Sequence, residues 1–225
     1  MGDASVAEPS ESRAVPRDRI AAAAVELLDA HGESGLTFRA LARRLQTGPG
    51  VIQWHLANKA GLLQAATAAV LPDAMLDEDA GTPRETIRAI AVDVYDAIDA
   101  HPWLGAQLAK PPWQDTMLRI FEHIGRSIQA LTPQFAAQFS ATSTLLNYII
   151  GAGSQQARTS RSETATTGRA GALAALSAQW ECLNPQEWPF TRSMATQLRS
   201  HGDRDEFLAG VDLILDGLNA TRREE

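Results

Sequence analysis

The sequence predicts an all-α protein: an N-terminal three-helix helix-turn-helix domain followed by a larger helical domain. Three observations carry this. Apolar residues recur every three or four positions along most of the chain, the spacing of amphipathic helices. No stretch of any length alternates apolar and polar residues as a half-buried strand does, and no internal repeat is present. Between residues 19 and 59, three short helical segments are separated by tight breaks, the layout in which a last helix is offered to a DNA groove.

The first segment places Ile20, Ala24, Leu27, Leu28 and His31 on one face, and Gly32 and Gly35 end it. His31 reads as a packed or helix-end histidine. The second starts at Leu36 or Thr37, where a threonine hydroxyl can cap the first free N–H groups. Phe38, Leu41, Ala42 and Leu45 form its apolar face, leaving Arg39, Arg43 and Arg44 outside, the last two as a solvated surface. The third starts at Gly48-Pro49, since proline tolerates the first helical position. Ile52 and Leu56 face inward, which frees Val51, Gln53, Trp54 and His55. A fourth helix starts at Asn58, a capping residue, and runs through Leu62, Leu63, Ala66 and Val70.

The rest reads as further helices. Gly81-Thr82-Pro83 opens one carrying Ile87, Ile90, Val94 and Ile98. A short helix from Trp103 to Ala109 is stopped by Pro111-Pro112. The next carries Met117, Ile120, Phe121, Ile124 and Ile128, and another carries Phe135, Phe139, Leu146, Ile149 and Ile150. Residues 158–168 are rich in Ser, Thr and Arg and read as a mobile loop or a poorly formed helix start. Helical character returns at Gly171–Leu183, and a last helix carries Phe207, Leu208, Val211, Ile214, Leu215 and Leu218.

Charge divides unevenly. Residues 13–60 carry net +3, residues 1–12 net −3 and residues 61–225 net −7, within a chain of net −7. A globally acidic protein binds DNA when its positive charge is local. No run of 18 apolar residues offers a membrane span. Residues 1–15 lack the apolar core of a signal peptide and read as a disordered arm. Cys182 is alone, so no intrachain disulfide forms and the expected location is the cytoplasm. The expected domains are 16–62 and 63–225.

At the level of motifs, residues 17–63 resemble the DNA-binding domain of TetR-type transcriptional regulators. Gly35-Leu36-Thr37 and Leu41-Ala42 match the family's second helix, and Trp54-His55, Asn58-Lys59 and Leu62-Leu63 resemble its tetracycline-repressor branch in particular. The resemblance implies that Arg39 reads a base or an adjacent phosphate. It implies that Thr37, His55 and Lys59 grip phosphates, and that Gly50 and Val51, in the first turn of the third helix, meet base edges. Two departures stand out: Gln53 occupies a position where the family usually has an aromatic residue, and Gln46 one where it often has glycine. An amide at Gln53 suits an adenine edge, and the exposed indole of Trp54 suits a place against the phosphate wall. More weakly, His101-Pro102-Trp103-Leu104 and the segment from Phe207 to Leu218 resemble tetracycline-repressor-like C-terminal domains. This implies a homodimer, joined through helices at about 133–155 and 204–220, with a small-molecule pocket in each subunit. The family's magnesium-binding His and Glu have no match in 105–109 or 153–156, so no magnesium–tetracycline complex and no cofactor is expected.

The second domain holds four of the five tryptophans. The proline-bounded helix after residue 102 suits a movable pocket wall. Trp103, Gln107, Trp113, Met117, Phe121, Asn147 and Tyr148 are the candidate ligand contacts, with Gln155 as a further polar group. The expected partners are double-stranded DNA, a small apolar or aromatic effector and a second copy of the chain, with no membrane. Other readings are a helical-bundle enzyme, or a relative that has lost DNA affinity and acts through protein partners. No glycine-rich phosphate loop or nucleophile motif favours an enzyme, and the Asp93, Asp96, Asp99 row reads as a solvated helix face. His101 and His123 are too isolated to form a metal ligand set.

Overall fold

Thr37, Gly48-Pro49 and Asn58 punctuate the N-terminal region as capping chemistry requires, and the computed structural model shows how. It describes residues 15–72, 81–111, 115–163, 168–200 and 202–221, which contain eleven α-helices and no strand. The chain divides between Ala69 and Val70 into two units.

In the first unit, α1 (Arg17–Gly35) buries Ile20, Ala21, Ala23, Ala24, Leu27 and Leu28. Gly32, at φ 65°, breaks the regular helix in a conformation that an L side chain adopts only at a cost. His31 is exposed just before the break and belongs to the helix end, not to the packed face. Helix α2 (Phe38–Leu45) is capped by Thr37, whose Oγ1 accepts from the Ala40 N–H at 3.1 Å. It ends at Gln46, in the left-handed region at φ 53°, and the Thr47 N–H donates to the Ala42 carbonyl at 3.0 Å. Helix α3 (Pro49–His55) has Pro49 in its first turn and buries Ile52. Helix α4 (Lys59–Val70) comes after Asn58, whose Oδ1 accepts from the Gly61 N–H at 2.9 Å. Val15, the last residue of the expected arm, is buried, and residues 1–14 lie outside the described residues.

The second unit is organised around α5 (Pro83–Ala100) and α8 (Phe135–Glu163), which pack together. A capping box starts α5: Thr82 Oγ1 accepts from the Glu85 N–H, and the Glu85 carboxylate accepts from the Thr82 N–H at 2.8 Å. Those hydrogen bonds hold the Glu85 carboxyl below its ordinary pKa. Helices α6 (Trp103–Leu108) and α7 (Asp115–Leu131) also pack on this pair. The core contains Ile87, Ile90, Val94 and Ile98 with Ile120, Ile124 and Ile128, joined from α8 by Leu145, Leu146 and Ile149. A hairpin of α9 (Gly168–Glu181) and α10 (Pro189–Arg199) comes next, then α11 (Asp203–Thr221), which packs against α8 and α5. No described helix is long and apolar enough to cross a membrane.

Several expectations are corrected. Residues 158–163 continue α8 as helix, while 164–167 lie outside the described residues. Helix α10 has no counterpart in the elements expected from periodicity. Phe135 and Phe139, read as part of an apolar helical stripe, are exposed. Val211 and Leu215, expected at the subunit interface, are 0% and 1% exposed within a single chain, because α11 turns that stripe onto α5 and α8. The large apolar residue that α11 points outward is Leu213, 73% exposed.

Candidate nucleic-acid interface and ligand cavities

The caps that fix α2 and α3 also decide which residues they present. Burying Ile52 and Leu56 turns Gln53 and Trp54 outward, and Trp54 is 82% exposed. Its indole meets the His55 ring edge-on, with centroids 4.7 Å apart. Val51 and His55 are half-buried, whereas Thr37, Arg39, Gly50 and Lys59 are exposed. At Gly50 the space a Cβ would occupy is open, with nothing within 4 Å. The expected DNA-side positions are thus not uniform: Thr37 is already engaged as a helix cap, and Lys59 Nζ donates to the Glu33 carbonyl at 2.7 Å, tying α4 to the end of α1. Arg44 pairs with Glu26 on α1, consistent with a structural use of its charge, while Arg43 is exposed. The tie from Lys59 to Glu33 was not visible in sequence, because it joins residues 26 positions apart.

The ligand-side candidates do not form one site. Trp103, Gln107 and Met117 are buried, and the Oε1 atom of Gln107 receives no hydrogen bond although the residue makes other contacts. Phe121 borders a cleft of about 320 Å³ with Phe135, Phe139, Gln138 and Arg126. Tyr148 borders a different cavity of about 350 Å³, together with Tyr95, Gln155, Leu173 and Phe207. Asn147 is exposed and lines neither, because α8 buries Leu145, Leu146, Ile149 and Ile150 and so turns position 147 away. Trp113 lies outside the described residues.

The Tyr148 cavity contains the best-defined aromatic arrangement. Tyr95 and Phe207 stack at 4.3 Å between centroids, and Tyr148 stacks on Phe207 at 5.7 Å with nearly parallel planes. The Tyr148 hydroxyl donates to the Phe207 carbonyl at 3.2 Å. A Cβ at Gly210 would fall on that hydroxyl, so α8 and α11 approach this closely only because the residue is glycine. Burial, reinforced by Asp203, Asp99 and Asp96, pushes the Tyr95 hydroxyl up to about 12, with Arg169 opposing. Burial and then Glu206 raise that of Tyr148. Sequence reasoning missed Tyr95 and Phe207 as cavity residues because their helical spacing reads as core, which they also are. Among the described residues no group of three or more His, Cys, Asp and Glu is placed to hold a metal.

Comparison with known proteins agrees with both halves of this architecture. Residues 20–66 match the pattern of bacterial regulatory proteins of the tetR family, and residues 76–222 match the tetracyclin repressor-like C-terminal domain. A transcriptional regulator described as a TetR from Streptomyces coelicolor is 48% identical, covering 92% of this chain and 98% of its own, with a TM-score of 0.82. An HTH-type transcriptional regulator of Saccharopolyspora erythraea is 32% identical over 146 residues, which span 63% of this chain and 62% of that protein. The fold is shared by ActR of Streptomyces coelicolor, a TetR family protein solved in complex with actinorhodin, at 22% identity and a TM-score of 0.75 over 93% of this chain and 97% of that one. The chain is therefore a member of the TetR family of transcriptional regulators, with an N-terminal helix-turn-helix DNA-binding domain and a C-terminal ligand-binding domain.

Proposed function

We propose that this regulator is a repressor of the bacterial cytoplasm. It binds an inverted-repeat operator as a homodimer and leaves it when a small apolar or aromatic molecule occupies the C-terminal unit. The observation that carries the DNA side is the outward face of α2 and α3: Arg39, Gly50, Gln53 and Trp54 are exposed beside a helix fixed by buried Ile52. Arg39 and Gln53 suit direct reading of bases, and Val51 suits a thymine methyl. Thr37, His55 and Lys59 hold the backbone. Two such units related by a two-fold axis read half-sites about one helical turn apart, roughly 34–36 Å.

For the effector side, the aromatic-floored cavity at Tyr148 supports the reading, and ActR, which shares the fold, was solved in complex with actinorhodin. The short helix carrying Trp103 and Gln107 remains the proposed movable wall. Selection of bound fragments from random-sequence DNA tests the DNA side. The expected product is a symmetric inverted repeat, and recovery of only asymmetric or unrelated fragments would reject a homodimeric operator reader.

A further inference from the structure

Two aromatic surfaces of the second unit face solvent, and they sit toward opposite ends of α8. The first is the cleft of about 320 Å³ between α7 and the start of α8. There the Phe121 and Phe139 rings meet edge-on with centroids 6.2 Å apart, and Phe135 and Phe139 are 85% and 64% exposed. The second is the tip of the α9–α10 hairpin, where Trp188 is 51% and Phe190 74% exposed. The hairpin does not use these rings to hold itself together. Its two helices bury only Ser177 and Ala195, and polar groups brace it. Ser177 Oγ donates to the Ala195 carbonyl at 2.7 Å, Arg199 Nε donates to Ser177 Oγ at 2.7 Å, and Arg192 donates to the Leu183 carbonyl at 2.9 Å. An arm braced by hydrogen bonds and tipped with exposed aromatic rings is preorganised to meet a surface outside its own chain.

We infer that the surface covering this cleft is the hairpin tip of a second copy of the chain, so that two protomers exchange arms. Within one chain the hairpin meets α8 near Gln155 and Thr159, where Leu173 and Leu198 border the same cavity. The cleft is lined by α8 residues from Phe135 to Thr142. About 13 residues of helix, roughly 20 Å, separate the two places. A two-fold axis across the middle of α8, between the exposed Asn147 and Gly151, pairs two copies of the helix antiparallel. The hairpin end of each then lies against the cleft end of the other. Exposed Ser140, Thr144 and Gly151 keep that face of α8 small, which lets the paired helices approach closely. Arg126 lines the cleft and suits a cation–π contact with the indole of Trp188 of the partner subunit. By the size of aromatic side chains, the four exposed rings cover about 500 Å² at each contact. Symmetry makes the contact twice, so the arms contribute roughly 1,000 Å², the scale of a specific interface. The inference deepens the homodimer reading above and rests on it.

The test is sedimentation velocity on the full-length protein without DNA, with variants confined to exposed positions. A tip variant, Trp188→Ala with Phe190→Ala, and a cleft variant, Phe139→Asp, should each raise the dimer dissociation constant at least tenfold. A mixture of the two should associate more tightly than either alone. In the mixed dimer, the intact tip of the cleft variant still meets the intact cleft of the tip variant. A mixture no tighter than its components would overturn arm exchange. Cross-linking gives a second readout, because Cys182, the single cysteine, is exposed at the end of α9. Gln129→Cys in the cleft, treated with bismaleimidohexane, should give covalent dimers on a denaturing gel through Cys182 of the partner subunit. Wild type and Gln129→Cys with Cys182→Ala, each with one cysteine, should give few. Efficient dimers from the single-cysteine proteins would place like ends together and overturn the inference. A monomeric wild type would remove the homodimer reading and the arms with it. A dimer that neither the tip nor the cleft variant weakens would remove the arms alone.

Discussion

Arg39 and Lys59 carry the same charge but sit in different surroundings, and this separates their roles. Arg39 is exposed on α2 with its guanidinium available for a guanine edge, whereas Lys59 spends a hydrogen bond on the Glu33 carbonyl. Arg39→Ala should therefore relax sequence preference, costing about 1–3 kcal/mol on the operator and little on scrambled DNA. Lys59→Ala should weaken both DNAs alike, reduce the salt dependence of binding, and also lower the melting temperature, since it unties α4 from α1. Binding isotherms on both DNAs across a salt series, with thermal melts, check this. A larger change in sequence preference for Lys59→Ala than for Arg39→Ala would reverse the assignment. Which residues of α2 and α3 face outward is legible in the sequence, because caps and periodicity alone turn residues in or out. Gln46 is a residue the sequence marked as unusual and the structure explains: it takes the left-handed conformation that glycine adopts more cheaply. The ligand side was less legible. Aromatic residues at helical spacing look alike whether they fill a core or floor a cavity, so Tyr95 and Phe207 were passed over while Asn147 was included.

For whole elements, legibility tracked burial. Helix α5 was evident from its capping signal and four isoleucine and valine positions on one face. Helix α10 was not, because it buries only Ala195 and so carries no clear apolar stripe. Helix α11 shows the limit of reading a stripe alone: its apolar residues were clear, but their destination was not. Val211→Asp should unfold the protein, since it buries a charge inside the chain. Leu213→Asp should leave the fold intact and weaken the proposed dimer, as sedimentation velocity would register. A folded, fully dimeric Leu213→Asp variant would exclude that face of α11 from the interface. The same helix is fastened to α5 by ion pairs, with Asp212 receiving hydrogen bonds from Arg88 and Arg84. The hydrogen bond from Arg88 leads in holding the Asp212 carboxyl below its ordinary pKa of 3.8, against an opposing burial effect. A depressed carboxyl stabilises the fold above its ordinary value and loses that contribution as pH falls through the lowered one. The melting-temperature gap between wild type and Asp212→Asn should accordingly be full at pH 7 and narrow below pH 4. A gap independent of pH would remove Asp212 ionisation from the stability of this contact.

Taken as a whole molecule, a repressor released by an effector must satisfy reciprocity. If the effector lowers operator affinity tenfold, a coupling of about 1.4 kcal/mol, the operator must lower effector affinity by the same factor. Effector titrations with and without saturating operator should give dissociation constants differing tenfold in that case. Identical constants alongside clear DNA release would mean that the compound acts on the DNA and not through the protein. Gly210 gives this coupling an unexpected genetic address. It offers no functional group, yet any side chain there displaces the Tyr148 hydroxyl and with it the ring stack beneath the cavity. A selection for cells that keep the target gene silent in the presence of inducer should thus recover substitutions at Gly210, making a residue with no chemistry of its own a recurrent site of deafness to the signal.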